Sequence, residues 1–160
     1  MGSGITEINK DTFWQLIEET KNQCGQDMDA SISWIKKELL SMPPEQSLQF
    51  HAIMHGYRDL ADKYGLWTAA IFIKEYGCSD DGFMDFRAWL IAQGKDIYMA
   101  ALENPDSLTR VEQYGDCEFE LLNYVGDYAY QELTGRSAYV DCTPEMEKRV
   151  LEEISGEIKY

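Results

Sequence analysis

The chain has 160 residues, 44% of them hydrophobic and 27% charged, the length and composition of one globular domain able to bury a core without staples. Its 29 acidic residues against 14 Lys and Arg give a formal charge of −15, which argues against a surface for nucleic-acid phosphates or anionic lipid. A basic protein partner is compatible with that charge. Residues 1–8 are expected to be a flexible start and residues 9–160 one all-helical domain, with no repeat or linker to divide it.

In chain order, Phe13, Leu16, Ile17 and Thr20 follow helical spacing after Asn9 or Asp11 as N-caps, and Gly25 should end this first helix. Asp27 or Asp29 caps a second helix with a buried stripe of Ile32, Ile35 and Leu39. Pro43-Pro44 stops it, and Pro44 suits the first turn of a third helix because the missing N–H costs nothing there. Phe50, Ile53, Met54, Tyr57, Leu60, Ala61 and Tyr64 form its face. Leu66 to Ile73 is apolar on all sides and predicts a buried central helix over 66–76, closed by Gly77.

Ser79 opens the longest element, with Asp80 and Asp81 at the positive end of the helix dipole. Phe83, Phe86, Leu90, Ile97 and Ala101 mark its stripe as far as Pro105, with Gln93-Gly94 interrupting it. Phe119, Leu122, Val125 and Ala129 make another helical stripe ending near Gly135. Ala138-Tyr139-Val140 admits an extended reading. Thr143-Pro144-Glu145 is a cap, a first-turn proline and a first-turn acid, and predicts a last helix with Val150, Leu151, Ile154 and Ile158 inward. The expectation is an all-α fold: one compact domain of seven or eight helices around the central one.

Cys78-Ser79-Asp80-Asp81-Gly82-Phe83, Phe86-Arg87-Ala88-Trp89-Leu90-Ile91-Ala92-Gln93-Gly94 and Pro105-Asp106-Ser107-Leu108 together resemble the hallmark of the bacterial domain-of-unknown-function family 4240. Phe13-Trp14 and Leu66-Trp67-Thr68-Ala69-Ala70 resemble its flanking elements, so the resemblance covers about Thr12 to Gly135. It implies neither a catalytic residue nor a cofactor. Members occur alone or fused to other modules, and nothing after Gly135 matches.

Three constellations carry residue types capable of chemistry. Ser79, Asp80, Asp81, Arg87, Trp89 and Gln93 form either a polar pocket or a capped helix whose Arg87 is held inside the fold. Asp80, Asp81 and Arg87 are expected to be partly buried and hydrogen-bonded, because an unpaired buried charge is costly. Cys78, just before a helix start, is either a favoured thiolate or a small buried thiol. His51 and His55 are four apart, the spacing of two metal ligands on one helical face, with Asp59 four further on. Their sequence, His-Ala-Ile-Met-His, lacks the glutamate of zinc proteases, and the alternative is a solvated face near Arg58 and Asp62.

Cys24, Cys78, Cys117 and Cys142 show no Cys-x-x-Cys pairing, so reduced thiols in a cytoplasmic protein are expected. No zinc, no other cofactor and no membrane span are expected. No phosphate-binding Gly-rich loop or nucleophile elbow is present. The reading that follows is a non-enzymatic binding or regulatory module with a protein or small-molecule partner. One alternative is an enzyme or ligand-binding protein built on Asp80, Asp81 and Arg87. Another is an acidic antagonist of a basic protein.

Overall fold

Local capping sets the helix starts. Asn9 accepts from the Asp11 and Thr12 amides while the Thr12 hydroxyl takes the Asn9 amide, a closed capping box that fixes α1 at Lys10–Cys24. Asp27 accepts from Ala30 N and opens α2, Met28–Leu40. Pro44 begins α3, Pro44–Asp62. Ser79 accepts from Gly82 N and opens α4, Asp80–Ala92. The rest are α5 (Lys95–Glu103), α6 (Val125–Thr134), α7 (Ala138–Asp141) and α8 (Pro144–Ser155), with 3₁₀ turns at Pro105–Arg110 and Glu120–Asn123. This computed structural model describes residues 4–62, 66, 70, 79–110 and 117–158.

Eight α-helices and no strand occur among the described residues, so the all-α expectation holds. The stretch expected to be the central helix lies outside them, apart from Leu66 and Ala70, which are helical and fully buried. Among the described elements α3 has the widest set of neighbours, packing on α2, α4, α6, α7 and α8. Its inner face carries Phe50, Ile53, Met54, Tyr57, Leu60 and Ala61, all buried. Phe13, Trp14, Tyr57 and Tyr98 form a ring cluster with centroids 4.8–5.7 Å apart. Ile5 and Ile8, from the segment expected to be a flexible start, are buried in the same core.

Two departures from the expected elements have physical causes. The long element after Ser79 is two helices. Gly94 has φ +106, a conformation that L side chains rarely adopt, and it turns the chain so that Tyr98 packs inward and its hydroxyl reaches Tyr57 O at 2.6 Å. The Ala138-Tyr139-Val140 segment is a helical turn, not extended, because Asp127 receives the Ala138 amide at 2.7 Å and Ser137 caps Tyr139 N.

The close approach of α6 to α3 depends on Gly126. A Cβ there would lie 3.1 Å from the His51 amide nitrogen and Cβ, and 3.2 Å from its Cα. Those atoms cannot swing aside as a flexible side chain would. Gly126→Ala is therefore expected to destabilise the protein by about 1–3 kcal/mol, measured as the urea midpoint against the parent.

Candidate functional site

The sequence-predicted residues of α4 do not converge on one cavity. Ser79 is a cap. Asp80 and Asp81 are exposed in the first turn, which corrects the expectation that they are partly buried. Their place precedes the inward stripe of Gly82, Phe83, Phe86 and Arg87, so the dipole and solvent stabilise them without partners from the core. Arg87 is buried as expected, and its partners are carbonyls. Its Nη1 donates to Arg58 O at 2.8 Å and its Nε to Phe83 O at 3.4 Å, and the guanidinium lies 4.5 Å from the Phe83 ring centre. Burial lowers the Arg87 pKa, with Asp62 opposing.

Trp89 is a core ring stacked near Phe86. Gln93 is the buried C-cap of α4: its side-chain amide pairs with Gln26 and donates to Trp89 O, and its backbone carbonyl takes Lys21 Nζ at 2.8 Å. The recess beside that pair, lined by Ile17, Met28, Ile35, Phe119 and Leu122, has about 20 Å³, room for about one water. Cys78 lies outside the described residues.

A more chemically varied assembly forms where α3 meets α6, α7 and α8. The His51 and His55 rings lie against each other, tilted by 35°, with centres 4.1 Å apart. The expectation of a solvated face is corrected for His51, which is buried at 4% exposure because Gly126 brings α6 onto its backbone. Tyr139 meets both rings edge-on, at 4.6 and 5.6 Å. His55 Nε2 lies 2.9 Å from Asn123 O. A carbonyl only accepts, so Nε2 carries the proton and Nδ1 a lone pair. His51 Nδ1 is buried with no hydrogen-bond partner.

Burial, then His55, pushes His51 down to about 3; burial, then Arg58, pushes His55 down to about 4. Asp127 pulls both the other way, but its carboxylate is already engaged by Gln131, Ser137 and the Ala138 amide. Asn123 joins the elements: its side chain accepts from Arg58 Nη1 at 3.1 Å and donates to Asp85 at 3.4 Å. Beside this cluster Ala52, His55, Gly56, Asp59, Pro144, Glu147, Lys148 and Leu151 line an open groove of about 390 Å³ between α3 and α8. No group of three or more metal-ligating side chains occurs among the described residues.

Sequence reasoning found the histidine pair from its spacing. It missed Asn123, Asp127 and Tyr139, which reach the pair from 68 or more residues away along the chain from the nearest histidine. The single usable signal was a polar Asn inside the Phe119–Ala129 apolar stripe.

The described residues place the chain in the all-α class, with Arg87 and Trp89 turned inward on α4. Within it, the chain belongs to a family described as protein of unknown function, DUF4240, whose model matches residues 8–132. The α7 turn and α8, which complete the histidine cluster and the groove, follow the matched span. No curated protein and no solved structure matches the chain.

Proposed function

We propose that this protein is a non-enzymatic binding module and that its contact surface is the tyrosine-rich face of α6 and α7 beside the α3–α8 groove. The observation that carries the reading is the large side chains left open there: Tyr128 is 40% exposed, Tyr139 49% and Val140 71%. Tyr124 and Tyr128 pair at 6.2 Å, and Tyr139 rests on His55, which also lines the groove. Aromatic side chains of this kind dominate the energetics of protein contacts.

Two arguments weigh against catalysis. Imidazoles titrating near 3 and 4 are poor general bases at neutral pH. Arg87, the cation of the alternative pocket, is already occupied by two carbonyls while Asp80 and Asp81 face solvent. The free thiols of Cys24, Cys117 and Cys142 suit a cytoplasmic setting. The charge of −15 favours a partner with a basic surface.

The test is affinity capture from lysate of cells that express the protein. A partner held by the parent should be lost from a Tyr128→Ser, Val140→Ser variant, whose exposed changes alter stability by only about 0.5 kcal/mol each. Capture that is indifferent to both substitutions would count against this surface.

A further inference from the structure

The α7 turn lies over the histidine pair and has little buried surface of its own. Of its four residues only Ala138 is buried; Tyr139 and Val140 are exposed. The Asp127 carboxylate, from α6, holds it by taking the Ala138 amide at 2.7 Å and the Ser137 hydroxyl at 3.3 Å. Cys142, directly after the turn, donates its amide to Ala138 O and is buried. Tyr139 meets His51 and His55 edge-on from this turn. The other two walls of the pair, α3 and α6, meet at backbone distance over Gly126.

A second proton on either imidazole needs an acceptor or water. His51 Nδ1 is buried with no hydrogen-bond partner, and His55 already gives its Nε2 proton to Asn123 O. On α3, Arg58 repels a charge on either ring, and Asp59 pairs with Arg58. On α7, Tyr139 is neutral and Asp141 is taken by Arg136 and Tyr130. From α8, Glu147 and Lys148 line the groove beside His55 with opposite charges. Asp127 is the carboxylate whose field favours a proton on both rings, and its oxygens already serve Gln131, Ser137 and Ala138. An imidazolium therefore competes with the α7 turn for Asp127. Parting α3 from α6 would break the close packing at Gly126, whereas lifting α7 uncovers little apolar surface, as local openings generally do.

We propose that His51, His55 and Asp127 form a proton-operated clasp on the α7 turn. It is closed while both imidazoles are neutral and Asp127 holds the Ala138 amide. It opens when an imidazolium draws Asp127 away and Tyr139 swings off the rings. The closed cluster disfavours the proton, with values of about 3 and about 4 against the ordinary 6.5. Each histidine thus shifts the balance toward the open form by up to about tenfold per pH unit below 6.5. The turn carries Tyr139 and Val140, so opening dismantles the contact face proposed above. That consequence rests on the binding reading; the clasp itself is tested without a partner, so the two fail separately.

The experiment is thiol labelling of the full chain with 4,4′-dithiodipyridine between about pH 7 and pH 5, resolved cysteine by cysteine through peptide masses. Each rate is divided by that of the same cysteine in the urea-unfolded chain at the same pH, which removes the titration of the thiol. Cys142 should become more than about tenfold faster from pH 6.5 to pH 5. Cys117, buried in the core, should change by less than about twofold, because the opening is local. His55→Gln should roughly halve the logarithmic slope at Cys142, and His51→Gln, His55→Gln should abolish it. His55 is only half-buried, so the single variant keeps the fold. A parallel rise at Cys117 would mean global unfolding and would overturn the proposal. So would a flat rate at Cys142, or a rise there that survives the loss of the histidines.

Discussion

Arg87→Ala is expected to lower the unfolding free energy by about 2–4 kcal/mol. The guanidinium is buried, and two elements depend on it: it ties α4 to Arg58 O on α3 and closes back on Phe83 O in its own helix. Hydrogen bonds to a charged group contribute about 1.5–3 kcal/mol, and the removed stem leaves a cavity beside Phe83 that adds to the loss. Arg87→Lys should recover only part of this, since an ammonium lacks the planar fork and the flat face that stacks on the ring. A urea melt reads both variants. An Arg87→Ala midpoint equal to the parent's would mean that the guanidinium is not held by the fold, and would return α4 to consideration as a ligand pocket.

Acidification should destabilise the protein well before its carboxylates are protonated. The folded values of His51 and His55, about 3 and about 4, lie below the ordinary 6.5. The unfolded chain therefore binds more protons than the folded one below pH 6.5. The stabilisation is fully present above that pH and is lost as pH falls through 6.5 toward 4 and 3. Each histidine contributes up to about 1.4 kcal/mol per pH unit across its window.

Burial is the main reason the fold resists protonation of the pair, and the groups facing the rings add to it. Arg58 repels a charge on either ring, the rings repel each other at 4.1 Å, and Tyr139 covers them edge-on. Asp127 is the opposing carboxylate. Asp141, held down to about 2 by Arg136 and then Tyr130, acts in the same direction but only below about pH 4. Urea melts between pH 7 and pH 5 thus isolate the imidazoles. A His51→Gln, His55→Gln variant should show a much flatter pH dependence than the parent over that range. Equal slopes would show that neither ring titrates low in the fold.

Most of the helical framework was legible from short-range chemistry. Ser79 as a cap and Pro44 as a first-turn proline each mark an element start, spacing identified the inner face of α3, and the choices left open between Asn9 and Asp11 and between Asp27 and Asp29 fall to Asn9 and Asp27. The break at Gly94 was visible as an interruption, but its backbone conformation belongs to a turn that packs Tyr98 on Tyr57, a contact 41 residues apart. The site was less legible for the same reason. Residue type made Arg87 a buried cation in need of partners, yet carbonyls carry no side-chain signature, so Arg58 O could not be named. Asp80 and Asp81 were expected to be partly buried and hydrogen-bonded along with Arg87, whereas the helix start leaves both exposed. The histidines signalled only each other. Their environment comes from Gly126 allowing α6 onto α3 and from Asp127 holding the turn that carries Tyr139.

On the proposed reading α4 is scaffold and the face around Tyr139 and His55 is the contact surface. One side-by-side capture tests it most directly, comparing the parent with Tyr139→Ser and with Asp80→Asn, Asp81→Asn, all at matched folded concentration. The Tyr139→Ser protein should lose the bound partner while the Asp80→Asn, Asp81→Asn protein keeps it. Retention by the first and loss by the second would place the contact at the start of α4 instead.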